Sequence, residues 1–119
     1  MYADGDEERL ALTGPDIVLP ERVAVPLGMA IHELATNAAK YGAFSVLGGI
    51  LSVQWGQSQG NIEIRWRERN VPMAGEATRI GFGSRLLKEI VLRQIGASVH
   101  IRYEPDGVDA RMSIPVADQ

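Results

Sequence analysis

The sequence predicts an α+β domain: a two-layer α/β sandwich in which one mostly antiparallel, mixed sheet is covered on one face by helices. Short segments alternate apolar and polar residues, as half-buried strands do. Two longer segments repeat apolar residues at helical spacing. The order of these segments is two strands, a helix, two strands, a helix and two strands. This order predicts the α+β class.

The composition is that of an ordinary globular domain. The 119 residues, 45% hydrophobic and 23% charged, suffice for one domain with a modest core, so we expect residues 1–119 to form a single domain. The net charge of −3 argues against a nucleic-acid partner. The chain has no cysteine, which excludes disulfides and thiolate metal sites and fits a cytoplasmic location. No apolar run approaches the ~20 residues of a membrane span, so we expect no direct membrane contact.

Two short strands are predicted near the beginning of the chain. Residues 9–13 alternate polar and apolar side chains and meet a turn signal at residues 14–15. Residues 16–19 are predicted as a second strand, which Pro20 closes.

A long helix is predicted next, from about residue 21 to Tyr41. Because proline is tolerated only in a first turn, we expect the regular part of the helix to begin near Pro26. Gly42 is expected to end the helix as a C-terminal glycine. The expected core-facing stripe of this helix consists of Leu27, Ile31, Leu34 and Ala38.

The second half of the chain predicts a hairpin, a helix and another hairpin. Residues 50–55 and 62–68 are alternating strands, and residues 84–95 form an amphipathic helix. Residues 97–103 and 109–116 are the last two strands. The predicted connections are a polar hairpin loop at 57–61, a mobile loop at 69–83 and a turn at 105–107.

Three polar side chains fall on one stripe of the long helix. Asn37 lies about 40° from Glu33 on one side and Lys40 about 20° from it on the other, since successive helical residues are about 100° apart. An acid, a carboxamide and an amine in one row suit a metal-bound phosphate, and a solvated helix face is the alternative. His32 lies off this stripe and is expected to pack or to form hydrogen bonds rather than to bind a metal.

A glycine-rich turn precedes the second helix. Gly81 and Gly83 would let the backbone approach a ligand, and the free N–H groups at the helix start attract phosphate. The alternative is a tight loop in which Ser84 caps the helix.

Glu68 ends a predicted strand and could belong to a site or be an exposed acid at the strand end. Trp55 and Trp66 are expected to pack in the core or on a face of the sheet, and His100 is expected at the surface.

The order of these features resembles the Bergerat ATP-binding fold that gyrases, heat-shock chaperones and histidine kinases share. Residues 32–42, HELATNAAKYG, resemble the N box of the HWE histidine kinases, including its histidine. Residues 66–68 resemble their W-x-E motif, and residues 81–87 resemble their second glycine box. The resemblance covers residues 9–116.

The resemblance implies the catalytic and ATP-binding domain of a sensor histidine kinase, with ATP and Mg²⁺ as cofactors. Asn37 would bind Mg²⁺, because an amide oxygen is a hard ligand. Glu33 would orient or deprotonate the attacking group, and Lys40 and Tyr41 would contact phosphate or ribose. Glu68 would recognise the adenine amino group. The other implied nucleotide contacts are Gly81, Gly83, Ser84 and Arg85.

The resemblance also implies partners. The γ-phosphoryl group of ATP would pass to a histidine on a separate dimerisation and phosphoacceptor domain of the parent protein, and a response regulator would act downstream. We expect the 119-residue chain to be a monomer that binds Mg-ATP without autophosphorylating. Residues 71–80 are expected to form a mobile lid over the nucleotide.

Two departures from the family pattern leave other functions open. Relatives follow W-x-E with one residue, two glycines and a proline, whereas this chain has Asn70 and Val71 at the glycine positions. Asn70 can adopt a left-handed conformation but Val71 cannot easily do so, so we expect the backbone to approach adenine less closely. Val108 replaces the threonine that often follows glycine before the last strand. The alternatives are a degenerate nucleotide site acting as a protein-interaction module, and a serine kinase or ATPase of the same fold.

Overall fold

The computed structural model describes residues 9–72 and 93–116. In these residues five strands form one sheet in the order β1-β2-β3-β5-β4, with β1 parallel to β2 and the other pairs antiparallel. The α+β class and the mixed, mostly antiparallel sheet are confirmed. The elements are β1 (Leu10–Thr13), α1 (Glu21–Lys40), a 3₁₀ helix (Ala43–Ser45), β2 (Ile50–Ser58), β3 (Asn61–Arg69), β4 (Ser98–Glu104) and β5 (Gly107–Pro115).

The hairpins follow from their turns. β2 and β3 are joined by Gln59 and Gly60, whose φ values of 54° and 83° are those of a two-residue primed turn. β2 therefore extends to Ser58 and β3 begins at Asn61, so the connection is shorter than the loop predicted at 57–61. Between β4 and β5 the connection is also two residues long, and the predicted last hairpin is confirmed.

The core lies between α1 and the inner face of the sheet. Every second residue of β3 from Ile62 to Glu68 is buried, as the period of two in a strand requires. Trp66 is buried in this row, and Trp55 is partly buried against the core, so their predicted packing is confirmed. The buried residues of α1 are Val23, Leu27, Ala30, Leu34, Asn37 and Ala38.

The predicted strand at residues 16–19 is wrong. Residues 14–20 have no regular secondary structure, and the side chain of Val18 is 95% exposed. β1 instead pairs in parallel with β2, and a parallel connection needs a crossover, here α1. Residues 14–20 must therefore leave the sheet to reach the start of that helix. The Trp55 indole N–H holds this segment by donating to the Pro15 carbonyl at 2.7 Å.

The prediction that the regular helix begins near Pro26 is also wrong. α1 begins at Glu21, and Pro26 lies inside it. The N–H groups of Val23 and Ala24 donate to the Pro20 carbonyl, so the first turn is formed before Pro26 is reached. Pro26 removes only the single bond that its missing N–H would have made to the Arg22 carbonyl.

The predicted helix at 84–95 and the loop at 69–83 lie mostly outside the described residues. The part of the chain that the structure describes contains no helix long and apolar enough to cross a membrane.

Candidate functional site

The site lies where the C-terminal end of α1 meets the end of β3. The N–H groups of Tyr41 and Gly42 donate to the Asn37 carbonyl at 2.8 and 3.1 Å, which finishes the helix. The next N–H, that of Ala43, donates to Glu68 Oε1 at 2.9 Å. This one bond joins the helical part of the site to the strand part.

Glu68 is buried between two donors. Its side chain accepts the Ala43 N–H at Oε1 and the Trp66 indole N–H at Oε2, the latter at 2.8 Å. Trp66 and Glu68 are two residues apart and therefore lie on the same face of β3. Since Glu68 is only 3% exposed, the alternative of an exposed acid at the strand end is wrong. Each carboxylate oxygen has a second lone pair, so the group can accept further hydrogen bonds.

Glu68 packs against two glycines so closely that neither position has room for a side chain. A Cβ atom at Gly42 would overlap Glu68 Oε1, and one at Gly107 would overlap the Glu68 carbonyl oxygen. α1 ends at Lys40 with Tyr41 as its C-cap, so Gly42 directly follows the helix as expected, and its φ of −115° is not that of a left-handed cap. The close approach of the Glu68 carboxylate requires glycine at residue 42.

The polar stripe of α1 passes from the core to solvent. Asn37 is 8% exposed and Glu33 is half-buried, whereas Lys40 and Tyr41 are exposed at the helix end. The alternative of a solvated helix face therefore does not hold for Asn37. His32, beside this stripe, is exposed. The stripe therefore places an amide and a carboxylate at the edge of the core and an ammonium group in solvent at the helix end.

The turn after Glu68 contains Asn70 and Val71, the two residues that stand at the glycine positions of the family pattern. Asn70 adopts a φ of 62°, so the prediction that it accepts the left-handed region is confirmed. Val71 does not share this conformation: it is 2% exposed, and its N–H donates to the Asp106 carbonyl at 2.9 Å. Val71 is thus a core residue, and its φ is not positive.

Four of the predicted nucleotide contacts cannot be placed. Gly81, Gly83, Ser84 and Arg85 lie outside the described residues, as does most of the expected lid at 71–80. Within residues 9–72 and 93–116, no three acidic, histidine or cysteine side chains come together as a metal site.

Arg9 is a neighbour of the site that sequence reasoning missed. Its Nε donates to the Gly49 carbonyl at 3.0 Å, and its Nη2 donates to the carbonyls of Ala43 and Val46, both at 2.8 Å. The guanidinium carbon lies 5.6 Å from the centre of the Phe44 ring, a cation–π distance. An arginine beside a short strand carries no local signal of these contacts.

A second charged cluster lies on the outer face of the sheet. Arg65 binds Asp109 with two hydrogen bonds, Nε to Oδ1 at 3.2 Å and Nη2 to Oδ2 at 2.8 Å. These bonds hold the pKa of Asp109 below its ordinary value and raise the pKa of Arg65. Since Asp109 pairs with Arg67, it faces away from Glu68. Three more guanidinium groups lie 3.8–3.9 Å from its carboxylate: Arg67, Arg102 and Arg111.

Known proteins resemble this chain in sequence. The blue-light-activated histidine kinase of Brucella anthropi is 38% identical over 104 residues, which are 84% of this chain and 21% of that protein. The protein of the same name from Brucella abortus is 30% identical over 115 residues, 93% of this chain and 24% of that protein. The chain therefore spans less than a quarter of the curated relatives that it matches. A scan against protein-family models finds no match.

Solved structures share the fold. The EL346 blue-light activated histidine kinase of Erythrobacter litoralis superposes with a TM-score of 0.70 at 17% identity, over 93% of this chain and 36% of that one. The catalytic domain of the histidine kinase ThkA superposes with a TM-score of 0.64 at 13% identity, over 94% of this chain and 82% of that one. The fold is therefore that of histidine kinase catalytic domains. Together with the sequence similarity above, this fold confirms the resemblance to histidine kinases stated from the sequence.

Proposed function

We propose that residues 1–119 are the ATP-binding catalytic domain of a two-component sensor histidine kinase of the HWE type, acting in the cytoplasm. The domain transfers the γ-phosphoryl group of ATP to a histidine on the separate dimerisation and phosphoacceptor domain of its parent, and a response regulator is the downstream partner. The observation that carries this proposal is the buried Glu68 carboxylate, held beside the end of the helix that bears Asn37.

Glu68 suits the recognition of an adenine amino group. A carboxylate accepts hydrogen bonds and donates none, so it favours an amino group over a carbonyl at the same place on a purine. Its two bonds to the protein fix its orientation before a ligand arrives, and preorganisation lowers the cost of binding. Both features support a base-recognition role.

The polar stripe of α1 suits the triphosphate and its metal. Mg²⁺ usually keeps several waters and is bound by one or two protein groups together with substrate phosphates, so the Asn37 amide oxygen is a sufficient protein contribution. Mg²⁺ neutralises the charge of the triphosphate and orients it. Lys40 and Tyr41 contact phosphate or ribose, and Glu33, one turn before Asn37, orients or deprotonates the attacking group. The remaining proposed contacts are Gly81, Gly83, Ser84 and Arg85.

A calorimetric titration with Mg-ATP tests the proposal. We expect the parent chain to bind and Asn37→Ala to lose about tenfold or more in affinity, which corresponds to about 1.4 kcal/mol. The same loss is expected when Mg²⁺ is chelated, and chelation should change the affinity of Asn37→Ala much less. The matched control is Asn61→Ala at the opposite end of β3, which should bind as the parent does.

A second function is favoured by one observation. Asn70 and Val71 stand where relatives have glycines, and Val71 is built into the core. If neither the parent nor the control binds millimolar nucleotide, the ATP-binding proposal fails. A degenerate nucleotide site that serves protein interaction then becomes the better function.

A further inference from the structure

The loop between α1 and β2 is fastened by one side chain from the beginning of the chain. Arg9 reaches three of its carbonyls, those of Ala43, Val46 and Gly49, at 2.8–3.0 Å. A guanidinium group can satisfy three acceptors at once because it is a planar fork with five donors. Arg9 therefore stabilises the conformation of the loop by holding these three carbonyls around its guanidinium group.

The same loop also binds Glu68, and the contact with Arg9 and the contact with Glu68 are both made by Ala43. The Ala43 carbonyl accepts from Arg9 Nη2, and the Ala43 N–H donates to Glu68 Oε1. Ala43 is fully buried, and a Cβ atom at Gly49 would overlap the Ala43 carbonyl oxygen. Ala43 is thus enclosed, with Arg9 on one side and Glu68 on the other.

The backbone of Arg9 is hydrogen-bonded to the strand that pairs with the end of β3. Its carbonyl accepts the Leu51 N–H at 2.7 Å, and Leu51 is the β2 residue that pairs with Glu68 of β3. Arg9 and Glu68 are therefore fixed to the same part of the sheet through their backbones and joined again through Ala43. A closed chain of hydrogen bonds restricts the carboxylate more than a single donor could.

We propose that Arg9 is a positioning residue for purine recognition by Glu68. The proposal rests on the proposed function, since it takes Glu68 as the group that accepts the adenine amino hydrogen bond. Arg9 itself touches no nucleotide; it sets the place of Ala43, and Ala43 orients the carboxylate. Loss of Arg9 should weaken binding of a purine with an amino group at position 6 and spare a purine with a carbonyl there.

The test compares binding of Mg-ATP and Mg-ITP by the parent, Arg9→Gln and Arg9→Lys. We expect the parent to prefer ATP, and Arg9→Gln to lose about fivefold or more of that preference, mostly through weaker ATP binding. Arg9→Lys should fall between the two, because an ammonium group keeps the charge but not the fork. The control is Arg102→Gln on the outer face, which should keep the preference of the parent.

The indole N–H groups give a readout that does not need nucleotide. The chain has two tryptophans, and the Trp66 indole binds Glu68 whereas the Trp55 indole binds the Pro15 carbonyl. In Arg9→Gln and Arg9→Lys the NMR signal of the Trp66 indole should shift, and that of Trp55 should stay. Trp55→Phe assigns the two signals.

Four results decide the proposal. A parent that prefers ATP, with the preference reduced in both Arg9 variants and the Trp66 signal shifted, supports it. A parent that prefers ATP, with the preference unchanged or with ATP and ITP weakened equally in the variants, overturns the role of Arg9 alone. A parent that binds ATP and ITP equally overturns adenine recognition by Glu68 and the role of Arg9 with it, whereas a parent that binds neither nucleotide overturns the proposed function itself.

Discussion

Gly42 shows how one residue controls the surroundings of Glu68. Its φ of −115° is not that of a left-handed cap, and a Cβ atom there would overlap the carboxylate oxygen that accepts the Ala43 N–H. The sequence predicts Gly42 as the residue that ends the helix, and the structure adds a second reason for glycine there. Only the position of a side chain 26 places later along the chain, at the end of β3, reveals that second reason.

The same substitution at two glycines should therefore have opposite effects. Gly42→Ala should lower the free energy of unfolding by about 1–3 kcal/mol, because the site must move to admit a methyl group. Gly28→Ala, exposed in the middle of α1 with no atom within 4 Å of the new Cβ, should raise it by about 0.5–1 kcal/mol, because alanine favours the helix. Urea denaturation measures both. Equal effects in the two variants would contradict the steric role of Gly42.

At the scale of elements, the two faces of the sheet formed by β3 and β5 carry different charged side chains. Glu68 points inward with Trp66, whereas Arg65 and Arg67 point outward with Asp109 and Arg111. The outward carboxylate is 3% exposed, and four guanidinium groups lie within 4 Å of it. Alternation along each strand predicts the faces, but it does not predict that four arginines share one acid.

This cluster predicts a specific dependence of stability on pH. Because hydrogen bonds from Arg65 lower the pKa of Asp109 below its ordinary value of 3.8, the folded state binds that proton more weakly than the unfolded state does. The stabilisation is therefore fully present above about pH 4 and is lost as the pH falls through the folded pKa. Asp109→Asn should cost about 1–3 kcal/mol at pH 7.

Urea denaturation between pH 7 and pH 2.5 checks this prediction. The difference between Asp109→Asn and the parent should shrink at the acid end of the range. The control is Asp106→Asn in the exposed turn between β4 and β5, for which a small difference at every pH is expected. Profiles of Asp109→Asn and the parent that stay parallel down to pH 2.5 would show that this carboxylate is not responsible.

At the scale of the whole molecule, binding and phosphorylation should be separable. In the proposed function the accepting histidine lies on another domain, and the curated relatives are more than four times as long as the matched part. The 119-residue chain, incubated with Mg²⁺ and ATP labelled at the γ-phosphate, should bind nucleotide and acquire no acid-labile label. Full-length blue-light-activated histidine kinase from Brucella abortus, treated in the same way, is the positive control. An acid-labile label on the 119-residue chain alone would refute the prediction.

Much of the fold followed from local patterns. The alternation at 62–68 and the helical repeat from Leu27 to Ala38 identify a half-buried strand and a core-facing helix, because each pattern repeats with the period of its own structure. The left-handed conformation that the sequence allows for Asn70 is found in the structure. The strand predicted at residues 16–19 is wrong because local pattern is not sufficient there. A short apolar run has strand character, but it forms a strand only where a neighbouring strand offers hydrogen bonds.

By itself, the sequence determined the class of fold, the polar stripe of α1 and the motifs that resemble histidine kinases, since all of these depend on residues close together in the chain. The tertiary structure alone decided that Glu68 is buried, that β1 pairs in parallel with β2 and that Arg9 reaches the loop beside the site. Those features depend on bonds across 25 residues for Ala43 and Glu68, and across 34 for Arg9 and Ala43. Such contacts form only when the core brings distant segments together, and no local pattern encodes which partner each side chain meets.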